Sequence, residues 1–496
     1  MRSQASTIVT THISEVILMG DRAYKIRRPV SFPFLDLSDV DSRRADCERE
    51  VRLNRRLAPD IYLGVGEVSG PGINEPIVIM RRLPSEKNLT HIVIEAGDVH
   101  DRLAEIAHRL AAFHEAAECS TAISDGATVM AVRRKWHRNL EELTSSVGSC
   151  VSRDRLEAIG RLADRYLEGR EALLTERIER GRVCDGHGDL KADDIFCLED
   201  GPRILDCLQF DDGLRHIDVA EDVAALVMDL ERLGRPDLGL WFRNRYEAYT
   251  NDHPPTSLQH HYIAYRALVR AKVACISAQD GDPASFDQAK LLFALTHTHL
   301  ERGAVTMVLV GGLPGTGKST LSGRLCEGQG WTLLSTDSVR KEIMNRPPAG
   351  SAAAYGTGIY EQRSRRRVYA EVLRRARFLL ARGESVVLDA SWNGATDRID
   401  AREVADETSS RLVELWCHSP VEVAVSRMHE RALERSDPSD ANPAIAQEMA
   451  SAFDPWLEAT RVDTSEGTDA VIERVLGEVL GSGLGETRHA LVGALS

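Results

Sequence analysis

Residues 312–319 read Gly-Leu-Pro-Gly-Thr-Gly-Lys-Ser, and their flanks fix what can surround them. Upstream, Thr306 to Val310 (TMVLV) is a short β-branched run; downstream, Leu321 and Leu325 begin a helical spacing. The order is strand, glycine loop, helix. In that context Gly312, Gly315, Thr316 and Gly317 let backbone N–H groups close around phosphate oxygens, and Lys318 reaches the β and γ phosphates. Ser319, followed by Thr320, offers a hydroxyl to Mg²⁺. The loop implies ATP or GTP.

At 496 residues the chain is long enough for about three domains, each with its own core. Residues 1–82 read as short strands (STIVT, EVILM, RAYKI, PIVIM) around one helix from Ser42 to Leu57, a small strand-rich lobe. Residues 83–303 are mainly helical, broken by a strand-turn-strand segment near 194–208 with Glu199, Asp200, Gly201 and Pro202 at its turn. Residues 304–496 alternate strands, at 306–310, 332–336, 385–390, 411–416 and 461–463, with helices, the last from 468 to 480. That alternation predicts a doubly wound parallel α/β sheet.

Ligands of such sheets bind beyond the carboxyl ends of the strands. Asp389 ends VVLDA and suits the metal-side carboxylate paired with Ser319; Asp337 ends LLSTD and suits the acceptor of a substrate hydroxyl proton, with Arg340 one turn on to hold the substrate. Either aspartate could instead be a helix N-cap. Arg427 and Arg431 share a helix face before the polar stretch SDPSDAN (436–442), an arrangement for a lid that closes on the γ-phosphate, or else a solvated face paired with Glu430 or Glu434. Arg363, Arg367 and Arg374 form a second basic face. GLPGTGKS, TDSVR, LDASW and RMHER, in that order over residues 305–480, resemble the small P-loop kinases that include polynucleotide kinase, gluconate kinase and the zeta-toxin group. The resemblance implies that Asp337 contacts the acceptor hydroxyl.

A second constellation lies at HGDLKADDIF (187–196) and ILDCLQFDD (204–212). A hairpin between them folds back so that Asp194 at its entry lies beside Asp206 at its exit, with Asp189 just ahead of both. Three carboxylates at one end of a hairpin are what a general base plus Mg²⁺ ligands require. Residues 6–300 resemble the aminoglycoside phosphotransferases, relatives of the protein kinases with a bilobal α+β fold. The resemblance implies Asp189 as catalytic base, Asp206 and Asp194 as metal ligands, Lys25 of RAYKI as the phosphate-binding lysine, Glu50 as its ion-pair partner and Met80 to Pro84 as the hinge between lobes. Two positions depart from the pattern. Position 194 is Asp where the family usually has Asn, and no glycine-rich lid precedes Lys25, its place being taken by Thr11-His12-Ile13-Ser14. The two modules in this order resemble a group of two-domain bacterial ATP-binding proteins.

The net charge of −14 argues against a general nucleic-acid or membrane-surface role. Nine cysteines without a CxxC pair suggest neither a disulfide framework nor a zinc site, and with no apolar leader or span the chain reads as cytoplasmic. The expected function is an ATP- and Mg²⁺-dependent phosphotransferase acting on a hydroxyl of a small molecule, with two candidate ATP sites. The alternative is a nucleotide-responsive regulatory or stress protein in which the N-terminal module is a degenerate kinase beside a P-loop ATPase.

Overall fold

The computed structural model describes residues 7–10, 13–32, 35–70, 73–95, 98–343, 362–434, 447, 449–465 and 468–479. The chain forms two units, neither continuous in sequence. Unit 1 comprises Met1–Ser152, Leu174–Pro254 and Tyr262–Thr296; unit 2 comprises Arg153–Leu173, Pro255–His261 and His297–Ser496.

Unit 1 begins with strands β1 (Thr7–Thr10), β2 (Ser14–Met19) and β3 (Arg22–Arg27), then a two-residue pair, β4 (Ser31–Phe32) and β5 (Leu35–Asp36). Helix α1 (Val40–Asn54) follows, its first turn capped by Asp39 Oδ1 accepting from Ser42 N at 2.8 Å. Strands β6 (Tyr62–Gly70) and β7 (Ile73–Arg81) complete an antiparallel sheet of order β1-β2-β3-β7-β6. Cys47 and Val51 of α1 pack with Ile61, Tyr62 and Val78 of the sheet. The expected helix and four strands are present; β6 and the short pair β4–β5 are additions.

The helices of the middle region are α2 (Leu89–Glu95), α3 (His100–Ala116), α4 (Thr121–Ser124), α5 (Val129–Leu143), α6 (Arg153–Glu168), α7 (Glu171–Glu179), α8 (Val219–Arg232), α9 (Pro236–Thr250), α10 (Thr256–Gln279) and α11 (Pro283–Arg302). Every residue of α8 from Val219 to Leu230 is buried, which marks it as a central helix. Two small antiparallel pairs interrupt the helices: β8 (Val183–Asp185) with β11 (His216–Asp218), and the expected hairpin, β9 (Ile195–Leu198) with β10 (Gly201–Ile204). Pro202 belongs to β10, so the turn is Glu199-Asp200.

Unit 2 holds a five-stranded parallel sheet: β12 (Thr306–Gly311), β13 (Thr332–Ser335), β14 (Val386–Asp389), β15 (Arg411–His418) and β16 (Thr460–Asp463), in the order β13-β14-β12-β15-β16. The connecting helices are α12 (Lys318–Gln329), α13 (Thr336–Ile343), α14 (Gln362–Leu380), α15 (Ala395–Glu407) and α16 (Val421–Glu434), with α17 (Thr468–Arg474) after the last strand. Val308, Val310, Val387 and Leu415 are buried on a core shared with Leu321, Leu325 and Val471. Strands apolar along their whole length are the mark of a parallel sheet covered on both faces.

One buried cation organises the far side of unit 2. Arg170 is fully buried, and its guanidinium donates to Gly169 O at 2.6 Å, to Leu380 O, and to Thr408 O at 3.2 Å. These carbonyls stand at the carboxyl ends of α6, α14 and α15, where helix dipoles favour positive charge. Tyr166 lies under the guanidinium at 5.5 Å. A Cβ on Gly169 would meet Thr408 O at 2.0 Å, so only glycine allows this approach. No described helix is long and apolar enough to cross a membrane.

Candidate active sites

In unit 1 the residues expected to act together converge. Lys25 projects from β3 and its Nζ lies 2.8 Å from Glu50 Oε1 of α1 and 3.0 Å from Asp206 Oδ1. Arg27, two residues along the strand and so on the same face, binds the other oxygen of Glu50 and reaches Asp46 Oδ2 at 2.5 Å. The hairpin brings the carboxylates together as its register dictates: Ile204 pairs with Ile195, and Leu205 N donates to Asp194 O at 2.9 Å. Asp206 follows with φ at 61°, a left-handed conformation uncommon for a non-glycine residue.

Lys191 sits where the three carboxylates meet, with Nζ 2.8 Å from Asp194, 3.6 Å from Asp189 and 3.9 Å from Asp206. Lys25 beside Asp206 holds that carboxyl below the usual range, burial being outweighed. Burial pushes Asp194 up to about 7, with the charge of Asp206 adding to it against Lys191. Burial acts on Asp189 in the same sense, yet Lys191, Arg270 and Arg266 hold it below the usual carboxylate value.

The loop carrying Asp189 is fixed from α8. Asp222 accepts His187 N at 2.6 Å and Gly188 N at 2.8 Å, and Asp229 accepts Ala192 N at 2.8 Å. His187 is buried against Leu205 O at 3.0 Å, and burial holds its imidazole below the usual histidine value. Ser14, the last residue of the segment standing in place of a glycine lid, is fully buried, its Oγ accepting from Arg27 at 2.5 Å. Thr11 and His12 lie outside the described residues.

In unit 2 the glycine loop has the backbone that phosphate binding requires. Gly312, Gly315 and Gly317 have φ of 140°, 82° and 80°. A Cβ would meet Cys417 O at 2.5 Å from Gly312, and Ala424 O at 2.4 Å from Gly315. Thr316 Oγ1 donates to Leu313 O at 2.7 Å and Lys318 Nζ to the same carbonyl at 3.0 Å. Ser319 and Thr320 open α12 with exposed side chains. Asp389, buried at the end of β14, pairs in register with Val310 of β12 and Ser335 of β13. It thus stands between the strand leading to the loop and the strand leading to Asp337.

Asp337 lies in the first turn of α13, where its own N–H is taken by Ser335 Oγ at 3.2 Å, and Arg340 reaches its Oδ1 at 2.8 Å. Arg427 donates to Thr464 O at 2.8 Å, and Thr464 Oγ1 donates to Thr316 O at 2.7 Å. Arg427 is therefore tied to the loop through Thr464. Arg431 falls within α16, but its side chain and the stretch 436–442 lie outside the described residues. Arg374 of the second basic face is held by Glu371 at 2.7 Å, while Arg363 and Arg367 are exposed.

Three participants escaped the sequence reading: Lys191, Arg27 and Thr464. Arg27 carried a usable signal, a charge two residues from Lys25 on the same strand; Lys191 reads as a solvated lysine, and Thr464 carried no signal beyond its place just after a strand of the sheet.

A family model described as an AAA domain matches residues 307–456. The gluconokinase of Sinorhizobium meliloti 1021 is 19% identical with a TM-score of 0.26, covering 38% of this chain and 97% of its own. The GDP complex of wild-type aminoglycoside 2'-phosphotransferase-IIIa is 17% identical with a TM-score of 0.37, covering 59% of this chain and 92% of its own. The uncharacterized proteins Rv2004c of Mycobacterium tuberculosis and Mb2027c of Mycobacterium bovis are each 41% identical over 458 residues, 92% of this chain and 91% of theirs. The chain belongs to the family of Rv2004c and Mb2027c.

Proposed function

We propose that the protein is an ATP- and Mg²⁺-dependent phosphotransferase acting on a hydroxyl of a small molecule, built of a small lobe (1–82), a helical lobe (83–303) and a P-loop kinase region (304–496). The observation that carries this reading is the glycine loop with Asp389 and Asp337 at adjacent strand ends. Asp337 takes the proton of the acceptor hydroxyl as its oxygen bonds to the γ-phosphorus and the bond to the β-phosphate oxygen breaks. Arg340 holds Asp337 in place, Lys318 and the loop N–H groups hold the phosphates, and Arg427 braces the loop. Ser319 and Asp389 are hard oxygen donors that fit Mg²⁺; when bound, the ion neutralises charge on the β and γ oxygens.

The Lys25–Glu50 pair and the three carboxylates around Lys191 support a second nucleotide site in the kinase-like module, with Asp189 as base and Asp194 and Asp206 as ligands, over the regulatory reading. ATP consumption by the full chain should be screened against sugars, aminoglycosides, nucleosides and 5′-hydroxyl oligonucleotides, alongside Lys318→Ala, Asp337→Ala and Asp189→Ala. Loss of a positioned base lowers turnover by about 10²- to 10⁴-fold. If Lys318→Ala and Asp337→Ala leave turnover unchanged with every active acceptor while Asp189→Ala abolishes it, the assignment to the P-loop region is wrong.

A further inference from the structure

Unit 1 contains a cavity of about 800 Å³ that neither set of catalytic candidates lines. One wall is α5, with Met130, Arg134, Lys135 and Arg138; another is the segment from Asp211 to His216 that follows Asp206 in the chain. The volume suits a small organic molecule.

The charge on its wall is incompletely matched. Lys135 is half-buried, its Nζ donates to the neutral carbonyl of His216 at 3.2 Å, and among the described residues no carboxylate forms an ion pair with it. Burial draws its ammonium below the usual lysine value, Glu221 and Asp211 offsetting only part of this. Charges taken out of water are ordinarily matched by an opposite charge. Of the acids on the wall, Asp211 accepts Gly213 N at 2.9 Å and faces Arg138 at 3.9 Å, and it reaches Lys135 through space without an ion pair. Asp125 and Glu141 are exposed. Arg134 adds a further cation at the exposed side.

The cavity adjoins the loop of Asp189. Leu214 lines it, and a Cβ on Gly188 would stand 3.1 Å from Leu214 O. On that side Arg266 donates to Gly188 O and pairs with Glu221 at 2.8 Å, and Arg270 lies 3.8 Å from Asp189.

We propose that this cavity is the acceptor pocket of the kinase-like module and takes a hydroxyl compound bearing an anionic group, a phosphate monoester or a carboxylate, anchored by Lys135. The acceptor role rests on the reading of Asp189 as general base. The acceptor oxygen attacks the γ-phosphorus of ATP, ADP leaves with the electrons of the broken P–O bond, and the hydroxyl proton passes to Asp189.

The test uses the full chain with four probes: glycerol 3-phosphate, glycerate, glycerol and an aminoglycoside, each measured by calorimetric binding and by ATP consumption. Lys135→Met and Arg134→Ser are compared with the parent, and melting temperatures establish that each variant folds. The expected result is binding of one or both anionic probes, weakened about tenfold or more in Lys135→Met and less in Arg134→Ser, with little binding of glycerol. ATP consumption with the same probe, lost in Asp189→Asn, completes the proposal. Anion binding that depends on Lys135 without phosphate transfer upholds the anion pocket and overturns the acceptor role with the reading of Asp189. Preference for the aminoglycoside, or anion binding indifferent to both substitutions, overturns the pocket while leaving the reading of Asp189 standing.

Discussion

Arg170 offers the sharpest test of how unit 2 is held together. Its guanidinium makes three hydrogen bonds to carbonyls at three helix ends and has no carboxylate beside it among the described residues. Hydrogen bonds involving a charged partner contribute about 1.5–3 kcal/mol each, so three are worth roughly 6 kcal/mol. Burial pushes the guanidinium down to about 10, which corresponds to about 3 kcal/mol against the charged form. The difference predicts that Arg170→Ala loses about 3 kcal/mol, a large share of the stability of a domain. Four of the six tryptophans (Trp331, Trp392, Trp416 and Trp456) lie in unit 2, so tryptophan fluorescence in urea reports mainly on that unit. Arg170→Met keeps much of the apolar stem but no donor, and should lose nearly as much. A fluorescence midpoint unchanged in Arg170→Ala, or restored in Arg170→Met, would mean that packing around Tyr166 rather than the converging carbonyls holds these helix ends, and the reasoning would be refuted.

Two further outcomes follow from the sites. Gly315→Ala places a Cβ 2.4 Å from Ala424 O on a backbone with φ of 82°; a left-handed alanine alone costs about 1–2 kcal/mol. In a Lys25→Ala background its nucleotide affinity should fall about tenfold or more by fluorescent-nucleotide titration, and an unchanged affinity would contradict the closed loop. Asp194, pushed up to about 7 in the fold, binds its proton more tightly folded than unfolded, so its contribution to stability is present below the ordinary carboxylate range and is lost as pH rises through about 7. In chelator, thermal unfolding at about pH 5 and about pH 8 should differ less in Asp194→Asn than in the parent; an equal difference would remove Asp194 as the cause.

The parallel sheet was legible because its central strands, β12 and β14, are buried along their whole length and all five strands are separated by helices. Strand β6 was not, because Gly64, Gly66 and Gly70 read as turns. In the fold Gly64 follows a register shift between Tyr62 and Gly64, and a Cβ at Gly66 would approach Ile79 Cδ1 to 2.7 Å. These glycines accommodate a bulge and a close neighbour, needs visible only once β7 is beside them. The carboxylates of unit 1 could be placed from their spacing around a hairpin. The cation among them could not, since Lys191 in sequence looks like any solvated lysine. Likewise nothing local marks Arg153–Leu173 as belonging with the P-loop sheet; that assignment depends on Arg170 meeting carbonyls of Leu380 and Thr408, more than 200 residues away.

Glu50 divides its two oxygens between Lys25 and Arg27, and Arg27 is additionally gripped by Asp46 one helical turn away on α1. If the incoming phosphates draw Lys25 off, the helix keeps its second moorings. A helix moored twice to one strand keeps its place whether or not the lysine is engaged, so a swing of α1 would first have to break both carboxylate contacts of Arg27.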